Sequence, residues 1–263
     1  MIRPLPAGMS GDELDLLIPI LFAVLGLIFG SFIAAVTVRL PRNEDVILAR
    51  SRCVSCGRTL KAWHLVPVVS WLIQRGRCAM CGAAVSRRYI LIECAAAAIG
   101  VWAALAGAGD LLWIIATAAL GWQLLLIALI DAENFWLPDE LTLPLIASGL
   151  IASAVLVSGW PVDQMIGAVA GFGGLWLIAL AYRRLRGRDG MGSGDPILFA
   201  GVGAWVGWQG LPTALLWACA AGFSVVVTLL ITRRKVAATD RLPFGTLLAI
   251  GLWLTWTWGP IGG

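Results

Sequence analysis

LLWIIATAALGWQLLLIALID, residues 111–131, is an unbroken uncharged run closed by an aspartate. A bilayer core takes about 20 apolar residues per helix. The run therefore predicts a membrane-spanning helix with a carboxyl group at its end. An acid there is costly unless water or a partner serves it, which makes Asp131 a functional candidate.

The whole chain reads the same way. Of its 263 residues, 60% are hydrophobic and 13% are charged, and the mean hydropathy is +0.89. Soluble domains sit near about 45–50% apolar and 25% charged. Eight stretches have spanning character: 16–38, 89–106, 111–130, 136–157, 164–182, 196–208, 211–231 and 243–258. Pro138 and Pro144 predict a kinked or partly unwound start to the fourth. The polar segment ahead of residue 16 leads into a retained first span rather than a cleaved signal. The fold class is an all-α polytopic membrane protein with about eight transmembrane helices.

The net charge of +4 is an orientation signal here, not a nucleic-acid footprint. The partners expected are membrane lipids and no nucleic acid. Ten of the 19 basic residues fall between Arg39 and Arg88, and Arg183, Arg184, Arg186 and Arg188 form a second group. Arg233, Arg234, Lys235 and Arg241 form a third, and only Arg3 falls on the other side. The positive-inside rule makes the basic loops cytoplasmic and both chain ends external. Asp131 leaves the third span and Asp195 opens the sixth on that same face.

Two carboxylates brought close share one proton and titrate as a pair. The ionised member activates water, and the protonated member donates to the carbonyl oxygen or leaving amine. That is aspartic peptidase chemistry. Each residue also has a plainer reading: Asp131 as a helix-end carboxylate in water, Asp195 as a cap before Pro196. Gly190, Gly192 and Gly194 alternate ahead of Asp195 and permit close backbone approach, or a flexible turn. Glu133, Asp139 and Glu140 rank below Asp131, not being at the end of a long apolar helix. Key aspartates at span ends argue against an ion transporter with midspan acids.

Cys53-Val-Ser-Cys56 and Cys78-Ala-Met-Cys81 make two Cys-x2-Cys pairs, the spacing of a structural tetrathiolate zinc site. Gly57 and Gly82 follow them and ease tight turns. Four thiolates leave no open position, so the metal folds the loop and does not hydrolyse peptide. Cys94 and Cys219, in apolar runs, read as small buried side chains. His64 is the sole histidine and reads as a loop residue; HExxH and GxSxG are absent. The apolar run 66–73 either packs on the metal module or lies on the membrane surface. Glu93 is either a salt-paired helix-end residue or an acid facing a polar site.

These motifs together resemble the bacterial type IV prepilin peptidase family, GxGD aspartic peptidases that also process type II secretion pseudopilins. FGSF at 29–32 with RLP at 39–41, the cysteine pairs, Trp71, RGRC at 75–78, Arg88-Tyr89 and Glu93 carry the amino-terminal likeness. Asp131 with LPDELTLP at 137–144, GMGSGD at 190–195 and PFG at 243–245 carry the rest. The resemblance implies cleavage of a basic leader after glycine at the cytoplasmic face of the inner membrane, with Asp131 and Asp195 catalytic and prepilins or pseudopilins as substrates. It also implies N-methylation of the new terminus from S-adenosylmethionine, with Gly76 and Glu93 at positions tied to that activity. A peptidase without methyltransferase activity is the alternative. Ala34, Leu65, Pro196-Ile197 and Thr246 depart from the family's usual residues; a proline usually stands at the last position. The expected division is 1–40, the amino terminus and first span; 41–88, the cytoplasmic four-cysteine zinc domain; and 89–263, a seven-helix membrane domain carrying the peptidase site.

Overall fold

The structure, a computed structural model, describes residues 11–46, 51–156, 159–188, 190–232 and 242–261. Arg3, Arg50, Val157, Arg233, Arg234, Lys235 and Arg241, used in the span and charge arguments, lie outside the described residues. The helices are α1 (Gly11–Arg39), α2 (Val69–Ile73), α3 (Arg87–Ala106), α4 (Leu111–Asn134), α5 (Asp139–Leu156), α6 (Val162–Arg186), α7 (Asp195–Ile231) and α8 (Phe244–Trp258). Among the described residues the only strand-like pairings are two isolated bridges, Arg52 with Thr59 and Arg77 with Ala84. The all-α expectation holds. Six helices, all but α2 and α8, are long and apolar enough to cross a membrane. Helix α8 is apolar but has 15 residues.

The chain divides into two compact units, Met1–Trp122 and Gln123–Gly263. In the first, α1 packs on α3. Gly26 and Gly30 let the backbones meet: a Cβ on Gly26 would lie 2.6 Å from Ala97 Cα, and one on Gly30 2.6 Å from Glu93 Cα. Small residues four apart are the usual device for helix contact in lipid, where apolar burial alone gives little drive. Trp122 donates its indole N–H to Ala96 O at 2.9 Å and stacks on Phe29.

In the second unit α7 packs against α5, α6 and α8. Its 37 residues would run about 56 Å if straight, against a bilayer core of about 30 Å. It is not straight. Gly207 has φ 71° and ψ 175°, outside the helical region. A Cβ on Gly171 of α6 would lie 2.5 Å from Phe199 O and 3.3 Å from Leu211 Cδ2. A straight helix would hold Phe199 and Leu211 about 18 Å apart. The chain therefore reverses at Gly207, and α7 is two antiparallel arms. The break between the sixth and seventh expected stretches lies at Gly207, not at Gln209–Gly210, because glycine alone tolerates that positive φ readily.

The other boundaries shift less. Helix α4 runs three residues past Asp131. Residues 136–138 are unwound ahead of α5 and Pro144 lies inside it, as the prolines predicted. Cys94 and Cys219 are exposed, which corrects their reading as buried. An outward apolar side chain costs little where the surroundings are lipid, so hydrophobic runs alone do not distinguish inside from outside.

Candidate active site

Glu93, Asp131 and Asp195 are the buried acids among the described residues. Asp131 and Asp195 both belong to the second unit. Asp131 sits in the last turn of α4, and its Oδ2 accepts the backbone N–H of Thr246 at 2.7 Å. The Thr246 hydroxyl lies 3.2 Å from the same oxygen and 3.0 Å from Ala128 O, so its single proton serves one or the other. Asp195 is the first residue of α7, with Pro196 following at a position where no amide donor is needed. Its Oδ2 accepts the N–H of Gly192 at 2.9 Å.

Leu137, buried in the unwound stretch before α5, is the wedge between the two acidic segments. A Cβ on Gly194 would lie 2.6 Å from Leu137 O and 2.8 Å from its Cβ. One on Gly245 would lie 2.6 Å from Leu137 Cδ1 and 3.0 Å from the Asp131 carboxyl carbon. The glycines of GMGSGD and PFG are therefore packing requirements around the acids. Glu133, Asp139 and Glu140 are exposed.

In the first unit the four paired cysteines converge, with all four Sγ atoms within 4.8 Å of one another. Cys53 and Cys81 Sγ are 3.8 Å apart. A tetrahedral ion with Zn–S bonds of about 2.3 Å sets its sulfurs about 3.8 Å apart, so the donor set fits zinc. The two turns repeat each other. Cys53 N–H donates to Arg58 O, and Gly57 N–H to Cys53 O; Cys78 N–H donates to Ala83 O, and Gly82 N–H to Cys78 O. Gly57 and Gly82 have φ 68° and 72°, which a side chain would strain. Backbone N–H groups of Cys56 and Ser55 hold the Cys53 thiol down to about 6. The Ala83 N–H lowers Cys81, but burial and the three neighbouring sulfurs outweigh it and push it up to about 11. A cation bound by all four sulfurs requires each as thiolate, so binding releases the protons still held.

The profile described as "Type IV leader peptidase family" matches residues 118–227, and that of the "Bacterial Peptidase A24 N-terminal domain" matches 24–106. A Prepilin leader peptidase/N-methyltransferase of Stutzerimonas stutzeri is 34% identical over 90% of this chain and 89% of its own length. Proteins of the same name from Burkholderia pseudomallei (strain K96243) and Aeromonas salmonicida (strain A449) are 37% and 38% identical, over 87% and 83% of this chain and 81% and 76% of theirs. The chain belongs to the type IV leader peptidase family. No solved structure matches it.

Within this leader peptidase homologue, Gly76 and Glu93 have local structural tasks. Gly76, at φ 68°, lies under the Trp71 indole, where a Cβ would come within 2.8 Å of the ring. Its N–H donates to Trp71 O and its carbonyl accepts from Val85 N–H. Glu93 Oε2 accepts the Val68 N–H at 2.7 Å, and the Ser31 side chain also hydrogen-bonds it. Helix α2 joins the two positions, its preceding residue on Glu93 and its Trp71 over Gly76. Both residues therefore help to shape the loop that carries α2. Leu137 and Thr246 were the residues the sequence reading passed over as site members. The departure from proline at Thr246 was the available signal, since proline has no N–H to donate.

Proposed function

We propose that this chain is a membrane-embedded aspartic peptidase that removes the basic leader of prepilin-type proteins and then N-methylates the exposed terminus. Membership of the leader peptidase family supports the activity, and one structural observation carries the mechanism: two buried carboxylates, from helices far apart in sequence, lie beside glycines that both pack on Leu137.

Asp131 and Asp195 form the catalytic pair and divide one proton. Thr246 presents a backbone donor, and optionally its hydroxyl, to Asp131 Oδ2, while Gly192 alone presents one to Asp195. Hydrogen bonds to a carboxylate favour its ionised form. Asp131 is accordingly the base and Asp195 the acid. Asp131 takes a proton from water as its oxygen attacks the scissile carbonyl, and Asp195 protonates the carbonyl oxygen. Collapse of the tetrahedral intermediate returns a proton to the Asp195 side, while the leaving nitrogen takes the one held by Asp131.

Taking the two arms of α7 separately and including α8 gives eight membrane passes. The basic loops then face the cytoplasm of an inner membrane, and the aspartates meet the leader there. Cys53, Cys56, Cys78 and Cys81 hold a structural zinc ion, which supplies cross-linking of the two turns and no hydrolytic chemistry. S-adenosylmethionine is the methyl donor by family likeness, and no step is assigned to Gly76 or Glu93. Incubation of purified enzyme with an intact prepilin-type protein and S-adenosylmethionine, followed by intact-mass analysis, tests the reading. Cleavage after the leader plus one methyl group is expected. Cleavage without methylation leaves a peptidase alone, and no cleavage defeats the proposal.

A further inference from the structure

We propose that helix α2 is a membrane-interface anchor: Leu72 and Ile73 insert at the boundary of headgroups and acyl chains, and the arginines that follow bind anionic phospholipid headgroups.

Depth is the first argument. Val68, which immediately precedes α2, donates its N–H to Glu93. Glu93 lies six residues into α3, about 9 Å along the axis from Arg87. Helix α3 has 20 residues, about 30 Å, the thickness of the bilayer core. A helix of that length has no turns to spare outside the membrane it crosses. The hydrogen bond therefore sets α2 level with the outermost turns of α3, the depth at which interfacial helices lie. Val68 reaches this bond at φ 58°, a conformation a β-branched residue rarely takes.

The exposed face is the second. Val69, Leu72 and Ile73 are spaced i, i+3 and i+4 and share one side of the turn. They are 50%, 58% and 77% exposed. Trp71 points elsewhere, covering Gly76 and donating to Val85 O at 3.3 Å. Trp71 thus packs against the second cysteine turn, while Val69, Leu72 and Ile73 stay exposed.

Charge is the third. No aspartate or glutamate occurs from residue 46 to residue 92. Arg75 and Arg77 follow the turn directly, Arg87 opens α3, and all three are exposed. Basic residues beside an apolar face match an anionic lipid surface, each adding attraction that salt screens.

The inference rests on α3 crossing a membrane, and the test separates the two. The photo-crosslinking residue p-benzoylphenylalanine is placed at Leu72, at Ile73, or at exposed mid-helix Ala98 of α3, one at a time, in the full-length enzyme. Each protein is reconstituted in nanodiscs of phosphatidylethanolamine and phosphatidylglycerol, irradiated and analysed by mass spectrometry. Lipid adducts are expected at all three positions. Replacing phosphatidylglycerol by phosphatidylcholine should lower the yield at positions 72 and 73 several-fold and leave Ala98 unchanged. Adducts at Ala98 with none, or only protein adducts, at 72 and 73 overturn the anchor. Yields indifferent to lipid charge overturn the headgroup assignment. No adduct at Ala98 overturns the span on which the inference stands.

Discussion

Thr246 and Asp131 are joined across 115 sequence positions by two possible donors on one carboxylate oxygen, the backbone N–H at 2.7 Å and the hydroxyl at 3.2 Å. The contact fastens the end of α4 to the first turn of α8. It also distinguishes the environment of Asp131 from that of Asp195, where Gly192 supplies a single N–H.

Thr246→Val keeps the backbone donor and deletes the hydroxyl. A hydrogen bond to a charged group is worth about 1.5–3 kcal/mol, and here the hydroxyl is shared with Ala128 O. The expected result is a kcat lower by about tenfold with KM unchanged, since the hydroxyl is engaged by Asp131 and Ala128. Thr246→Ser should stay within about twofold of wild type. Initial-rate kinetics on a prepilin-type substrate decide it, and equal kcat values for all three proteins would remove the Thr246 hydroxyl from the mechanism, leaving its backbone N–H.

Gly194→Ala and Gly245→Ala should differ in severity. The new methyl at Gly194 meets the backbone oxygen of Leu137 at 2.6 Å, which has little room to move. At Gly245 it meets the flexible end of Leu137, at 2.6 Å, and the Asp131 carboxyl at 3.0 Å. Gly194→Ala is expected to lose both activity and thermal stability. Gly245→Ala is expected to lose activity with a smaller fall in melting temperature, and Leu137→Ala should restore part of that fall. Melting curves in detergent alongside rate assays separate the two cases.

Most of the helical architecture was legible because a bilayer demands long apolar helices. Asp131, Asp195 and the cysteine pairs stood out because they interrupt apolar runs or repeat at ligand spacing. The reversal in α7 was half visible: two stretches were expected there, but Gly207 is one of several local glycines and nothing in its neighbours marks its positive φ. Cys94 and Cys219 were misplaced because lipid-facing and buried positions carry the same apolar residues. Leu137 was hidden as one leucine among many, and its role follows from glycines at 194 and 245 that are remote in sequence.

The thiol cluster should hold one zinc ion per chain by elemental analysis. Its affinity should rise with pH. Cys53 is ionised above about 6, but Cys81 keeps its proton until about 11 in the metal-free cluster. Across that window metal binding releases protons, so raising pH favours the bound form and lowering it favours release. Chelator competition at a mildly acidic and a mildly alkaline pH checks the sign. Cys53→Ser and Cys78→Ser should abolish metal retention and make the loop between α1 and α3 sensitive to protease.

Glu93→Gln keeps the size of the side chain and an acceptor for Val68 N–H but removes its charge, whereas Glu93→Ala removes the acceptor. If Glu93 shapes the loop, Glu93→Gln should process and methylate substrate within severalfold of wild type. Glu93→Ala should increase hydrogen exchange at Val68 and its neighbours. An equally large methylation defect in both variants, without a change in exchange, would point instead to contact with the methyl donor.

The most direct measurement is intact-mass analysis of a prepilin-type substrate after incubation with purified wild-type enzyme, Asp131→Asn or Asp195→Asn in lipid nanodiscs. General acid and base groups each contribute about 10²–10⁴-fold. The account predicts the mature product with wild type, at least a hundredfold less with either variant, and unchanged membrane insertion and zinc content in both. Leader removal at the wild-type rate by either well-folded variant would contradict it.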